Sequence, residues 1–217
     1  MQPAVKKKSI RISESLGSVS SLIMQPEETK AVLVLAHGAG AGMTHRFMES
    51  LSIELANFSV ATMRFNFPYM ENGRKRPDPP AIAEKTVAVI LEETHRMFSG
   101  VPLVAGGKSF GGRMTSQRLA KECPDFVKRI VFFGFPLHPA GKPSVDRAKH
   151  LSGINIPMLF LQGTRDTLAQ IDLLSQVCSG LPKATLIKVE GADHSFKLGK
   201  QDLVPLLAEQ TVEWLIR

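Results

Sequence analysis

The feature that most constrains the fold is a cluster of small residues around one serine at positions 106–112. Within it, Gly107-Lys108-Ser109-Phe110-Gly111 matches the pattern G-x-S-x-G and separates an apolar run, residues 101–105, from a helical stretch, residues 110–122. A strand that turns this sharply into a helix has no room for a Cβ atom at the glycines and strains the backbone of the serine. The pattern in this context predicts a nucleophile elbow that exposes the Ser109 hydroxyl above a sheet.

The remainder of the chain alternates short apolar runs with longer amphipathic stretches. Residues 6–13 and 18–24 alternate apolar and polar side chains around Gly17, which is typical of an antiparallel hairpin. Residues 31–36 are apolar throughout, as in a strand buried on both faces. Further strands are predicted at 59–65, 101–105, 129–133, 156–161 and 184–189, and helices at 45–57, 81–98, 110–122, 171–178 and 201–216.

This order predicts an α/β fold with a mostly parallel central sheet, helices on both faces and an N-terminal antiparallel hairpin. The length of 217 residues suits one domain over 1–217. The Pro- and Gly-rich loop at 134–142 is too short for a lid domain. In such sheets ligands bind at the carboxyl ends of the strands, so the loops that follow the strands are the place to search for chemistry.

Composition excludes several classes of protein. Apolar residues make up 43% and charged residues 22%, an ordinary globular balance. No apolar run can span a bilayer, and no apolar region follows Lys6, Lys7 and Lys8 as a signal peptide requires, so we expect a cytoplasmic protein. Cys123 and Cys178 fit reduced thiols. The net charge of +7 is scattered, which favours a solvated basic surface over contact with nucleic acid or membrane.

A serine hydroxyl needs a base, and the base is held in turn by an acid. His194 follows the last predicted strand and is the predicted base, whereas His150 has no strand before it. Asp166 follows the strand at 156–161 and is the predicted acid. Asp193 is its competitor, but adjacent side chains in a loop rarely orient one another. We therefore expect Ser109, Asp166 and His194 to act together.

An oxyanion hole needs two backbone N–H groups aimed at one point. One is expected from Phe110, the residue after the nucleophile. The other is expected from the glycine-rich loop at 37–42, with Ala39 as the first choice and Gly40 as the second. His37 closes the preceding strand, and we expect it to hold this loop rather than to transfer protons.

Two further points concern what the site binds. Gly107-Lys108-Ser109 resembles the end of a phosphate-binding P-loop, but that motif requires glycine at the position of Pro102, so nucleotide binding is rejected. The expected pocket is small and partly apolar. Its predicted walls, besides Phe110, are Ala41, Met43, Phe67, Tyr69, Leu137 and Phe196. Lys108 either favours anionic substrates or points to solvent.

Six motifs in order resemble one known family over roughly residues 20–217. They are HGAG at 37–40, RFNFP at 64–68, GKSFGG at 107–112, FPLHP at 135–139, QGTRD at 162–166 and DHSF at 193–196. The family is that of small α/β hydrolases related to dienelactone hydrolases, and it includes testis-expressed and chromatin-complex hydrolase-like domains. The resemblance implies an α/β-hydrolase fold with catalytic Ser109, Asp166 and His194. Dienelactone hydrolases proper differ, because they have cysteine at the nucleophile position.

The residues predict a serine hydrolase that cleaves a small ester or thioester through an acyl-enzyme intermediate, without metal or organic cofactor. The expected partner is a small-molecule ester. An acyltransferase or a peptidase would use the same residues. The alternative from another class is a hydrolase-like binding or scaffold protein with little or no turnover, favoured by the basic surface and by relatives without an assigned substrate. A strained elbow argues against it.

Overall fold

The computed structural model describes residues 4–216, so residues 1–3 and 217 of the predicted domain lie outside the described part of the chain. The strands are β1 Val5–Ser13, β2 Gly17–Met24, β3 Ala31–Ala36, β4 Val60–Phe65, β5 Leu103–Lys108, β6 Val127–Phe133, β7 Met158–Gly163, β8 Ala184–Val189, β9 Lys197–Leu198 and β10 Gln201–Asp202. The helices are α1 Arg46–Asn57, α2 Pro68–Glu71, α3 Pro80–Met97, α4 Phe110–Lys121, α5 Ile171–Ser179 and α6 Val204–Leu215, and a 3₁₀ segment covers Asp146–Gly153.

The described strands β1 to β8 form one sheet in the order β1-β2-β4-β3-β5-β6-β7-β8. β1 and β2 are the predicted antiparallel hairpin, and β2 joins β4 antiparallel. From β4 to β8 all neighbouring strands are parallel, with Gly107 of β5 between Ala36 of β3 and Phe132 of β6. The predicted fold class is confirmed.

The central strands are largely apolar because helices cover both faces of the sheet. In β3, Val32 and Val34 belong to one core and Leu33 and Leu35 to the other. The first core packs against α3, α4 and α5, and the second against α1 and α6. Burial on both faces fixes the register of the parallel strands, and this places their carboxyl ends at one edge.

β5 extends three residues beyond its predicted end and includes Gly106 and Gly107. Glycine is usually unfavourable in strands, but here the neighbours leave no space for a side chain. A Cβ on Gly106 would lie 2.7 Å from the carbonyl oxygen of Val131, and one on Gly107 would lie 2.7 Å from that of Ala36. The glycines therefore let β5 run between its neighbours directly to the elbow.

Three short elements were not predicted: α2, the 3₁₀ segment and the hairpin of β9 and β10. The last helix begins at Val204 rather than at residue 201, because Gln201 and Asp202 pair with β9. Between β6 and β7 the described chain holds loops and the 3₁₀ segment and no inserted lid domain. Within residues 4–216, no helix combines the length and apolar character needed to cross a membrane.

Candidate active site

Three loops at the carboxyl ends of β5, β7 and β8 bring Ser109, Asp166 and His194 together. Nε2 of His194 lies 2.8 Å from Oγ of Ser109, and Nδ1 lies 2.6 Å from Oδ2 of Asp166. The arrangement fits a neutral imidazole that donates from Nδ1 to the carboxylate and accepts the serine proton at Nε2. The Asp166 side chain is fully buried, whereas the imidazole is partly accessible.

The predicted elbow has the backbone strain expected of it. Ser109 has φ 51° and ψ −117°, a conformation that side-chain-bearing residues rarely adopt. A Cβ on Gly107 would lie 2.6 Å from the nitrogen of Gly112, and one on Gly111 would lie 2.5 Å from the carbonyl oxygen of Ala36. Backbone on both sides thus requires glycine, and Ser109 is left at the N-terminal end of α4, where the helix dipole favours negative charge.

Asp166 is held by residues besides His194. Nε2 of Gln162 donates to Oδ2 of Asp166 over 2.6 Å, and the backbone N–H of Leu168 donates to Oδ1 over 2.7 Å. Gln162 in turn accepts from the N–H of Phe135 at 2.8 Å. Sequence reasoning missed this role of Gln162. The sequence did contain a signal, because Gln162 directly follows the apolar residues of β7 and is therefore expected to be buried. A buried amide needs hydrogen-bond partners.

The two predicted oxyanion donors are free to act as donors. Among residues 4–216, the N–H of Ala39 makes no hydrogen bond to another backbone group, and Phe110 is the first residue of α4, where an N–H has no partner within the helix. The second choice for the loop donor was Gly40, but its N–H donates to the Tyr69 hydroxyl over 3.2 Å. Because an N–H already committed to a hydrogen bond is a poor donor to substrate, the geometry favours Ala39 and Phe110.

His37 holds the loop, as its position at the end of β3 suggests. Its Nδ1 donates to the carbonyl of Gly38 at 2.8 Å, and its Nε2 accepts from the N–H of Phe67 at 3.1 Å. Burial lowers the pKa of His37 from 6.5 to about 4, so the ring is neutral near pH 7. A neutral ring with both nitrogens engaged has a positioning role.

The end of β4 and the residue after the strand supply two more supports for the same loop. Oδ1 of Asn66 accepts from the N–H of Met43 at 2.9 Å, and Nη1 of the buried Arg64 donates to the Met43 carbonyl at 3.1 Å. Together with Phe67 and Tyr69, these residues fix the loop from one side. The RFNFP motif therefore acts as a support for the backbone that would carry the oxyanion donor.

The competing candidates for the base and the acid, His150 and Asp193, form hydrogen bonds with other residues. Nε2 of His150 lies 2.7 Å from Oγ of Ser116, a residue in the middle of α4. Oδ1 of Asp193 accepts from the N–H groups of Ser195 and Lys197, so this carboxylate shapes the loop that presents His194. Neither residue replaces His194 or Asp166 at the elbow.

A pocket of about 310 Å³ opens beside Ser109 and His194. Its lining residues are Gly38, Ala39, Ala41, His45, Phe47, Met48, Lys108, Ser109, Leu168, His194 and Ser195. Of the predicted wall residues outside the oxyanion hole, Ala41 is among them. The other predicted wall residues are not, namely Met43, Phe67, Tyr69, Leu137, Phe196 and the oxyanion candidate Phe110.

The predicted wall residues Phe67 and Tyr69 do not line the pocket because they pack beneath the glycine-rich loop at 37–42 and support it. Phe67 and Tyr69 are fully buried, and their rings pack around His37 at centroid distances of 5.0 and 5.9 Å. Leu137 is also fully buried in the core. Phe196 lines a neighbouring cavity instead, stacked on Phe47 at 6.0 Å.

The chain resembles known proteins over most of its length. Residues 29–209 match the family model described as an alpha/beta hydrolase domain. Among solved structures, a dienelactone hydrolase from Anabaena variabilis has a TM-score of 0.81 at 18% identity, covering 100% of this chain and 98% of that one. An alpha-beta serine hydrolase homologue from Coxiella burnetii has 0.78 at 19%, covering 97% of each chain. A serine hydrolase without a lid from Xanthomonas campestris has 0.75 at 18%, covering 97% and 94%.

Proposed function

The chain belongs to the alpha/beta hydrolase domain family, and on that premise we propose that it is a serine hydrolase of small esters or thioesters. The observation that carries the proposal is the unbroken line of hydrogen bonds from Ser109 through His194 to Asp166, at 2.8 and 2.6 Å. A line of this kind raises the nucleophilicity of a serine hydroxyl at neutral pH. The similarity to a solved dienelactone hydrolase and to a solved serine hydrolase homologue agrees with the proposal.

In the first half of the reaction, Nε2 of His194 takes the hydroxyl proton while Oγ of Ser109 attacks the carbonyl carbon of the substrate. The carbonyl oxygen gains negative charge and accepts hydrogen bonds from the N–H groups of Ala39 and Phe110. Asp166 stabilises the imidazolium. The intermediate then expels the alcohol or thiol, which receives the proton from His194, and the acyl group stays on Ser109.

In the second half, water replaces the leaving group. His194 takes a proton from the water, whose oxygen attacks the acyl carbon, and the same two N–H groups hold the second oxyanion. Collapse breaks the bond to Ser109, whose oxygen recovers the proton, and a carboxylic acid departs. Every proton is handled by side chains of this chain.

The pocket supports a small substrate with an apolar part. Its walls include Ala41, Phe47, Met48 and Leu168 beside the polar atoms of the elbow, and its volume is about 310 Å³. This volume lies at the small end of typical ligand pockets. We therefore expect short acyl chains to be cleaved faster than long ones.

A panel of 4-nitrophenyl esters and acyl-coenzyme A thioesters of increasing chain length tests the proposal. Wild type is expected to show turnover that falls by several orders of magnitude in Ser109→Ala. Ser116→Ala is the matched control, because Ser116 faces a different histidine, His150, and should retain activity. Turnover that survives in Ser109→Ala would overturn the assignment. No turnover with any member of the panel would favour a binding protein.

A further inference from the structure

Lys108 lies between Gly107 and the proposed nucleophile Ser109, and it is one of the residues that line the pocket. Its Nζ donates to the backbone carbonyl of His194. The ammonium lies 5.0 Å from the ring centroid of Phe196 and 5.8 Å from that of Phe47. The cation is therefore surrounded by one carbonyl and two aromatic rings, none of which carries a full negative charge.

No carboxylate of the described residues forms an ion pair with Lys108. Asp166 and Asp193 attract it from longer range, while both oxygens of Asp166 and Oδ1 of Asp193 accept from other donors. Burial outweighs this attraction and lowers the pKa of Lys108 from 10.5 to about 8. A buried cation without a counter-ion is unfavourable, and an anion placed beside it offsets that cost.

The surroundings suit an anion. None of the described residues that line the pocket is acidic. The adjoining cavity, beyond the stacked rings of Phe47 and Phe196, is lined by Arg46, Lys197 and Lys200 against one acidic residue, Asp202. An ammonium group has three N–H donors, and one of them is used by His194. Two donors of the Lys108 ammonium remain for a further acceptor.

Gly134 leaves space for the ammonium of Lys108 because it has no side chain. A Cβ on Gly134 would lie 2.9 Å from Nζ of Lys108 and 3.6 Å from Cε1 and Nδ1 of His194. The cation and the proposed base thus share one side of Gly134, so an anion bound by Lys108 would lie close to the reacting groups.

We propose that Lys108 binds an anionic group, a carboxylate, on the substrate whose ester or thioester bond Ser109 attacks. Lys108 is then a specificity-determining residue, and the substrate class narrows to esters and thioesters that carry a negative charge near the scissile carbonyl. The proposal rests on the proposed function for the identity of the bound molecule. A lysine that only ties the elbow to the His194 loop would affect charged and neutral substrates alike.

Binding without turnover gives the first test. In the Ser109→Ala background, monomethyl adipate is expected to bind at least ten-fold tighter than dimethyl adipate by calorimetry, because hydrogen bonds to charged groups are the strong ones. The preference should disappear in Ser109→Ala/Lys108→Met. It should remain in Ser109→Ala/Lys85→Met, which removes an exposed lysine of α3. Equal binding of the two adipates to Ser109→Ala would overturn the proposal.

Turnover gives the second test. The 4-nitrophenyl monoester of adipic acid carries the anion on the acyl side, and the butyrate ester of 4-hydroxybenzoic acid carries it on the leaving side. Each is compared with its neutral methyl ester in wild type and Lys108→Met. In wild type we expect kcat/KM to be about ten-fold higher for the charged ester than for its neutral methyl ester in one of the two pairs. This preference should be lost in Lys108→Met. If Lys108→Met lowers kcat/KM equally for charged and neutral esters, Lys108 only connects the elbow to the His194 loop, and the proposal is wrong.

The third test needs no variant. As pH rises through about 8, Lys108 loses its charge and the preference for the anion should fall in wild type. The other titratable groups that face the ammonium are Asp166, Asp193 and His194, and His45 lines the same pocket. They act on charged and neutral esters together, so the ratio isolates Lys108. Ser109-dependent hydrolysis of neutral esters without any anion preference would refute this inference and leave the proposed function intact.

Discussion

Gln162 donates from Nε2 to Oδ2 of Asp166 over 2.6 Å, and that oxygen also lies 2.6 Å from Nδ1 of His194. The amide is fully buried at the end of β7 and is itself held by the N–H of Phe135. The carboxylate therefore cannot rotate away from the imidazole without breaking a buried hydrogen bond. Gln162 therefore orients the proposed base His194 indirectly, through Asp166.

Gln162→Leu tests that control. Oδ2 of Asp166 loses one donor and the N–H of Phe135 loses its acceptor, so kcat should fall about ten-fold with little change in KM, and unfolding should become easier by about 1–3 kcal/mol. Ester kinetics and urea unfolding measure the two effects. Gln176→Leu, an exposed substitution on α5, is the control. Lower stability with unchanged kcat would show that Gln162 has a structural role alone.

Tyr69→Phe tests the support of the oxyanion loop. The variant removes the acceptor of the Gly40 N–H and keeps the ring in the core, so the loop loses a fixed position and kcat should fall about ten-fold. Tyr69 is the single tyrosine of the chain, and burial raises its pKa above the usual value of 10. A phenolate absorbance whose midpoint lies above pH 10 in wild type would verify its buried environment. An unchanged kcat in the variant would argue against the supporting role.

Gly111→Ala tests the close approach at the elbow. The added Cβ would lie 2.5 Å from the carbonyl oxygen of Ala36 and 2.6 Å from that of His37. Neither backbone can move without disturbing the sheet, so we expect a loss of more than about 4 kcal/mol or failure to fold. Gly100→Ala is the control: its φ of 80° is left-handed, unlike that of Gly111, but nothing lies within 4 Å of the new atom, so only the backbone strain of about 1–2 kcal/mol should be lost. Similar losses, measured by urea unfolding, would contradict the account.

His150→Asn tests the acid sensitivity of the fold. Burial, with Arg113 nearby, lowers the pKa of His150 to about 4. Between pH 6.5 and 4 the unfolded chain takes up a proton that the folded chain does not, so stability falls as the pH drops through this range. Urea unfolding at pH 7 and pH 4.5 should show the variant losing about 2 kcal/mol less than wild type. Equal losses would place His150 in a solvated environment.

Much of the proposed site could be predicted because parallel strands end at one edge of a sheet. Ser109, Asp166 and His194 each follow a strand in the sequence, so the topology that brings the strands side by side also brings these residues together. The same logic selected the loop after β3 as the source of Ala39. These predictions needed the order of elements but no detail of side-chain packing.

The walls of the pocket could not be predicted in this way. Whether Phe67 and Tyr69 face a substrate or lie beneath a loop depends on the path of the backbone after β4, which is set by hydrogen bonds to His37 and Gly40. The role of Gln162 depends on a contact across the turn to Asp166. The end of β5 was missed because propensity disfavours glycine in strands, whereas packing against β3 and β6 requires it there.

The central claim is that the Ser109 hydroxyl is a nucleophile activated by His194. The most direct measurement is intact-protein mass spectrometry after exposure to a fluorophosphonate probe, with peptide mapping of the modified residue. We expect one adduct per chain on Ser109 in wild type, no adduct in Ser109→Ala, and strongly slowed labelling in His194→Ala. Equal labelling of wild type and Ser109→Ala, or an adduct on another residue, would contradict this claim.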